Sequence, residues 1–217
     1  MIRNLIWDVD GTLFDTYPAI VHAFLDALAS FGVLASANEV DGLARVGLSH
    51  CTRELADRFG LEEEPLGERF GGLYGVIPKQ DQPPFEGARE VCEAVIGRGG
   101  VNAIVTHRAR ESTEALLAVH GLTHLFSGTI GGDEGFPKKP APQALVAMLA
   151  RCQLDPGQTA TVGDRESDIL AGRAAGLTTC WFRGRTSSVV PDLAFTDYSE
   201  LLDFLARGFP TPAPASR

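Results

Sequence analysis

The sequence predicts an α/β fold, in which a parallel sheet is interrupted after its first strand by an all-helical segment. Short apolar runs recur along the chain, and helical patterns of apolar residues separate most of them. Between residues 16 and 83, helical patterns instead follow one another with no clear strand between them. The alternation is typical of a parallel sheet, and its interruption indicates a separate small domain.

Five apolar runs are predicted to be the strands, because they are short and lack a helical period, as buried parallel strands do. Helices are predicted between the later strands, around Leu116, Leu145 and Leu170, and Gly176 is a natural C-terminal glycine for the last of them. The predicted strands are Leu5–Trp7, Ala103–Val105, Thr129–Ile130, Ala160–Val162 and Thr178–Phe182.

The inserted segment begins with a predicted helix that has Thr16 as its N-cap, Pro18 in its first turn and Gly32 as its stop. Further helices are predicted at Glu39–Val46, Cys51–Phe59 and Leu66–Tyr74. We therefore predict a core domain of residues 1–15 and 84–208, an inserted helical domain of residues 16–83, and a disordered proline-rich tail of residues 209–217.

Composition narrows the range of partners. A formal charge of −9 and a pI of about 5.0 oppose nonspecific binding to nucleic acid or to an anionic membrane. No apolar run approaches the roughly 20 residues of a membrane span, and the N-terminus lacks the pattern of a signal peptide. The four cysteines are widely scattered, which is typical of reduced thiols. We expect a cytoplasmic protein, a monomer or a homodimer, with no nucleic-acid or membrane partner.

Candidate site residues lie at the carboxyl ends of the predicted strands, where ligands of parallel sheets bind. Asp8 and Asp10 follow the first strand, and residues two apart on a strand face the same side. Two such carboxylates repel each other unless a cation neutralises them or one stays protonated. The pattern therefore favours a hard cation such as Mg2+, although an acidic turn also fits these residues alone.

Three further segments supply candidate groups. Thr106 ends the second strand, where its hydroxyl and the following N–H groups can hold a phosphate oxygen. Lys139 precedes a turn stiffened by two prolines and presents a fixed positive charge, with Lys138 as the alternative. Asp164 and Asp168 are four residues apart where a strand passes into a helix, so both carboxylates can lie on one side of the turn.

In this order, the four segments resemble the motifs of the haloacid dehalogenase (HAD) superfamily of phosphohydrolases. The subgroup that they resemble contains phosphoglycolate-phosphatase-like and beta-phosphoglucomutase-like enzymes. The resemblance implies a Rossmann-like core with helices on both faces of the sheet, and it assigns the inserted segment to a helical cap domain. The matching strings are DxDGTLxDT from Asp8, a strand ending in Thr106, KPAP from Lys139, and GDRESD from residues 163–168.

The resemblance implies a phosphoric-monoester hydrolase that acts on a small phosphorylated metabolite. Asp8 would attack phosphorus and form an aspartyl-phosphate. Asp10 would protonate the leaving oxygen and then deprotonate the hydrolytic water. Thr106 and Lys139 would bind the transferring phosphoryl group.

The resemblance also implies Mg2+ as the cofactor. A carboxylate oxygen of Asp8, the backbone carbonyl of Asp10 and Asp164 would hold the ion. Asp168 would orient a metal-bound water or Lys139.

The sequence departs from the family pattern after Thr106, where His107 stands in place of the common Asn and Arg108 follows. Both are candidate substrate-binding residues. Arg108 either grips a carboxylate or second phosphate of the substrate, or pairs with a surface acid such as Glu111.

In the inserted segment, Arg45, Ser49 and His50 are candidate substrate contacts on a predicted glycine-containing turn, and an ordinary interhelical turn is the alternative. The sequence leaves other functions open as well. A phosphomutase uses the same first half-reaction, and a catalytically silent binding module uses the same fold. A haloacid dehalogenase is disfavoured, because it does not need a second, acid/base aspartate such as Asp10.

Overall fold

A computed structural model describes residues 1–184 and 188–207, and it confirms the predicted α/β fold. The described residues form one sheet in the order β3-β2-β1-β4-β5-β6, in which every neighbouring pair is parallel. The strands are β1 Asn4–Trp7, β2 Asn102–Val105, β3 Thr129–Ile130, β4 Thr159–Gly163, β5 Thr178–Phe182 and β6 Leu193–Phe195. The helices are α1 Tyr17–Ser30, α2 Ala37–Val46, α3 Leu48–Phe59, α4 Glu63–Val76, α5 Ala88–Gly97, α6 Arg110–Val119, α7 Gln143–Arg151, α8 Glu166–Ala174 and α9 Tyr198–Arg207.

Helices cover both faces of the sheet, as predicted. Successive residues of a strand point to opposite faces. Ile6 packs into a core that contains Met148 of α7 and Ala171 of α8, whereas the ring of Trp7 lies 5.8 Å from that of Tyr198 in α9. The central strands are therefore buried on both sides, which explains why they are continuous apolar runs.

The sixth strand, β6, was not among the predicted strands. It is three residues long, its middle residue is exposed, and it pairs with β5 at the edge of the sheet. Its sequence, Leu-Ala-Phe, is an apolar run as long as the predicted strand Leu5–Trp7, so a local signal for this strand was present and was missed.

The chain divides into two compact units, Met1–Leu13 with Pro84–Arg217, and Phe14–Pro83. In the second unit, α1 to α4 pack around a core that includes Phe24, Leu55 and Phe70, and the rings of Phe24 and Phe70 stack 3.8 Å apart. The assignment of these units as catalytic core and cap remains a prediction, and the predicted disordered tail lies outside the described residues.

Helix α1 begins directly after Thr16, as predicted, but the Thr16 side chain makes no capping hydrogen bond. The reason is local, because Thr16 has helical backbone angles (φ −93°, ψ −16°) instead of the extended conformation of a capping residue.

Among residues 1–184 and 188–207, no helix is both long and apolar enough to cross a membrane.

Candidate active site

Asp8 lies at the centre of the candidate site, directly after the central strand β1. Its N–H donates to the carbonyl of Val162 in β4 (2.9 Å), and its side chain is 1% exposed. Carboxylate atom Oδ1 accepts a hydrogen bond from Nζ of Lys139 (2.7 Å). The other oxygen, Oδ2, is buried without a hydrogen-bond partner, and a guanidinium nitrogen of Arg165 lies 3.6 Å from it.

Lys139 joins two buried carboxylates. Its ammonium lies 2.7 Å from Oδ1 of Asp8 and 2.5 Å from Oδ1 of Asp168, and it also donates to the carbonyl of Val105 (3.1 Å). Burial opposes the charged form, but Asp168 and Asp8 outweigh it and raise the pKa of Lys139. Lys138, the alternative considered from the sequence, is exposed. The structure therefore brings Lys139, and not Lys138, to the buried carboxylates.

Asp168 is held by the first turn of α8. Its Oδ2 accepts a hydrogen bond from the backbone N–H of Arg165 (3.0 Å). A Cβ added to Gly163 would lie only 2.3 Å from the Cβ of Asp168. Only glycine at position 163 therefore lets this carboxylate pack against the end of β4. Burial alone would raise the pKa of Asp168, but Lys139 and Arg165 outweigh it and lower that pKa.

The carboxylates of Asp8, Asp164 and Asp168 converge, and one oxygen from each lies within 4.8 Å of the others. Asp164 is positioned by Thr12, whose hydroxyl donates to its Oδ1 (3.4 Å), and by Trp181, whose indole N–H donates to its backbone carbonyl (2.8 Å). Burial raises the pKa of Asp8, and Asp168 raises it further despite the nearby cations. Three carboxylates with oxygens this close form an all-oxygen donor set that fits a hard divalent cation.

Asp10 has a different environment from Asp8. Its carboxylate pairs with Arg108 through Nη2 (2.6 Å) and Nε (3.2 and 3.3 Å), and Arg108 also donates to the hydroxyl of Ser112 (2.8 Å). The side chain of Arg108 is 5% exposed, so this is a well-shielded ion pair. The structure thus gives Arg108 a different acidic partner from the predicted Glu111. The proposed metal contact through the backbone carbonyl of Asp10 remains a prediction.

The residues that follow β2 include Thr106 and contact Lys139, the two candidates for phosphate binding. The hydroxyl of Thr106 is buried and accepts the backbone N–H of Arg108 (3.1 Å). Nε2 of His107 accepts the backbone N–H of Lys139 (2.9 Å), which fixes the tautomer with the proton on Nδ1. Burial, followed by the charges of Lys139 and Arg165, lowers the pKa of His107 to about 3. A Cβ on Gly132 would lie 2.2 Å from the carbonyl oxygen of His107, so this loop requires glycine there.

The three candidates in the inserted unit lie in helices and not on an extended turn, because only Gly47 separates α2 from α3. Arg45 pairs with Asp41 (2.9 Å) and lies 4.1 Å above the ring of Tyr17. His50 lies 3.7 Å from Glu54, and Ser49 is exposed. Their role in substrate binding remains a prediction.

Two features of the site were missed. Arg165 was not a candidate, although a cation between Asp164 and Asp168 in the sequence was a usable signal. His107 was a candidate for substrate binding, and its hydrogen bond to Lys139 had no signal in the local sequence, since the two residues are 32 positions apart.

Together, the fold and this site define an α/β enzyme with a buried acidic centre. The chain belongs to the haloacid dehalogenase-like hydrolase family, whose profile matches residues 5–182. The predicted family and class of enzyme are therefore confirmed.

The chain is similar to curated proteins and solved structures over almost its whole length. It is 28% identical to the phosphoglycolate phosphatase of Haemophilus influenzae strain Rd, over 92% of this chain and 96% of that protein. It is also 28% identical to the phosphoglycolate phosphatase of Vibrio parahaemolyticus, over 94% and 96% of the two chains. A crystal structure from Haemophilus somnus, described as a predicted phosphoglycolate phosphatase, has a TM-score of 0.81 at 24% identity, over 94% of this chain and 98% of that one. A Thermotoga maritima protein with a provisional beta-phosphoglucomutase assignment has a TM-score of 0.78 at 19% identity, over 96% and 100%. Both structures show the same fold.

Proposed function

We propose that this protein is a Mg2+-dependent phosphatase that hydrolyses a small phosphorylated metabolite with Asp8 as the nucleophile. The observation that carries the proposal is the asymmetry of the Asp8 carboxylate. Lys139 holds Oδ1 at 2.7 Å, while Oδ2 is buried with no hydrogen-bond partner. A carboxylate oriented through one oxygen is suited to attack with the other.

The reaction would proceed in two displacements. An oxygen of Asp8 forms a bond to phosphorus as the phosphorus–oxygen bond of the ester breaks, and the leaving oxygen takes a proton from Asp10. Asp10 then removes a proton from a water molecule, which attacks phosphorus and releases phosphate and the free Asp8 carboxylate. Lys139 and the Thr106 hydroxyl would stabilise the charge on the transferring phosphoryl group. The pair with Arg108 would hold the acid/base carboxylate of Asp10 in one orientation.

The acidic cluster would hold the metal ion through Asp8 and Asp164, with Asp168 holding Lys139 or a metal-bound water. When bound, Mg2+ supplies positive charge that neutralises the phosphoryl oxygens. The same charge favours the anionic form of Asp8, whose pKa burial otherwise raises.

Phosphoglycolate and other small phosphorylated carboxylates or sugars are the proposed substrates, on the strength of the names of the relatives. The unit Phe14–Pro83 would act as a cap that excludes water and contacts the substrate. We also keep as proposals a cytoplasmic location and a monomeric or homodimeric state.

A panel of phosphorylated metabolites, assayed for released phosphate with and without EDTA, tests the proposal. We expect EDTA to abolish turnover and added Mg2+ to restore it. Asp8→Asn should fold normally and lose essentially all turnover, because its amide lacks the nucleophilic oxygen anion. Asp203→Asn is the matched control, since the Asp203 side chain is 65% exposed.

Two results would contradict the proposal: near-normal turnover by well-folded Asp8→Asn, or full turnover after exhaustive chelation. An isomerised sugar phosphate with little free phosphate would instead identify a phosphomutase.

A further inference from the structure

The guanidinium of Arg165 lies beside the two carboxylates that the proposed metal would bridge. Its Nη2 is 3.6 Å from Oδ2 of Asp8, and its Nε is 3.9 Å from Oδ1 of Asp164. The Arg165 side chain is 14% exposed, so these charges interact with little screening by solvent. Arg165 is neither the proposed nucleophile nor one of the residues proposed to bind the phosphoryl group.

The local backbone holds residue 165 without help from its side chain. Arg165 is the residue before α8, in extended conformation (φ −112°, ψ 151°), and its N–H donates to Oδ2 of Asp168 (3.0 Å). Any residue other than proline keeps this bond. The side chain can therefore be replaced, or can change rotamer, without removing the anchor of the helix.

The balance of charges in this cluster indicates how the Arg165 guanidinium affects it. Asp8, Asp164 and Asp168 are three acids, and Lys139 and Arg165 are two cations, which leaves one net negative charge. Lys139 contacts Oδ1 of Asp8 and Oδ1 of Asp168. Arg165 instead approaches Oδ2 of Asp8 and Oδ1 of Asp164.

We infer that Arg165 is an internal counter-cation that competes with Mg2+ for Asp8 and Asp164, and that it thereby weakens Mg2+ binding while stabilising the metal-free site. The inference rests on the proposed metal site. A divalent cation held by the Asp8 and Asp164 carboxylates would meet the repulsion of a guanidinium that lies within about 4 Å of an oxygen of each, unless the side chain moves away. Arg165 is thus a positioning residue that sets the affinity for the metal.

Isothermal titration of Mg2+ into metal-free protein tests the inference without any turnover. We expect Arg165→Gln to bind Mg2+ at least tenfold more tightly than wild type, a change equivalent to about 1.4 kcal/mol. Arg165→Lys, which keeps the charge, should remain closer to wild type. Arg173→Gln is the control for net charge, since Arg173 lies in the last turn of the same helix.

Urea unfolding supplies an independent readout. Metal-free Arg165→Gln should unfold at a lower urea concentration than wild type, because two buried negative charges then remain unbalanced, and Mg2+ should restore its stability more than it stabilises wild type.

An unchanged or weakened Mg2+ affinity in folded Arg165→Gln would overturn the inference, as would an equal gain in Arg173→Gln. If wild type binds Mg2+ and Asp164→Asn does not, such a result leaves the proposed metal site intact. If neither wild type nor Arg165→Gln binds Mg2+, the proposed metal site and the inference both fail.

Discussion

Replacing Lys139 by Met should lower the free energy of unfolding, because two buried carboxylates lose their shared cation. Asp8 and Asp168 are each 1% exposed and share one ammonium at 2.7 and 2.5 Å, so the variant leaves two like charges without it. The cheapest relief is protonation of Asp8, whose pKa burial already raises. Taking a carboxyl with an unfolded pKa of about 3.9 to its protonated form at pH 7 costs about 4 kcal/mol. This agrees with the roughly 3–5 kcal/mol measured when one partner of a buried pair is removed.

The stability of Lys139→Met should also depend on pH, and the direction of that dependence follows from the pKa of Asp8. In Lys139→Met the folded-state pKa of Asp8 lies above its unfolded value, so the folded state binds more protons and gains stability as the pH falls. The loss relative to wild type should therefore shrink from about 4 kcal/mol at pH 7 to about 1.5 kcal/mol at pH 5. Urea unfolding in the presence of EDTA measures it, and Lys138→Met is the matched control, because Lys138 is exposed. An equal loss at both pH values, or a loss below about 1 kcal/mol at pH 7, would refute the reasoning.

Two further predictions concern the residues after Thr106. Arg108→Ala should lower kcat by about a hundredfold for both p-nitrophenyl phosphate and an anionic metabolite, because Asp10 loses the cation that orients it. An effect confined to KM for the anionic metabolite would show that Arg108 grips the substrate instead. His107→Asn should remove a pH dependence of wild-type stability. With the folded pKa of His107 near 3 and the unfolded value near 6.5, the unfolded state binds more protons between these values, so wild type loses about 2 kcal/mol between pH 6.5 and pH 5. Urea unfolding at both pH values checks this, with His22→Asn, at an exposed histidine, as the control; a wild-type slope unchanged in His107→Asn would contradict it.

The parts of the fold that could be predicted from the sequence are those with a local signal. The central strands are buried on both faces, so their apolar runs and the polar residues that end them are visible in the chain itself. Strand β6 has a short apolar run, Leu-Ala-Phe, that was missed, and Thr16 has helical backbone angles although it is the residue before α1. A residue type with high capping propensity does not fix its own backbone angles.

The partners within the site could not be predicted in the same way. Asp10 and Arg108 are 98 positions apart, and Lys139 is 131 positions from Asp8. The expected repulsion between Asp8 and Asp10 predicted a neutralising cation, and the structure gives the two carboxylates different side-chain cations, Lys139 for Asp8 and Arg108 for Asp10. Which cation each of them has depends on the order of strands in the sheet, and β1, β2 and β4 are adjacent only after folding.

The distribution of cations fits the different tasks that we propose for Asp8 and Asp10. Asp10 has a guanidinium of its own, whereas Asp8 shares the Lys139 ammonium with Asp168 and lies near a second cation, Arg165. An acid that shuttles a proton works from a fixed orientation, and the pair with Arg108 provides one. A nucleophile must instead keep one oxygen available, and sharing Lys139 through Oδ1 leaves Oδ2 without a hydrogen-bond donor. Because an unpaired buried oxygen costs stability, its presence at the end of the central strand supports the proposed role of Asp8 as the nucleophile.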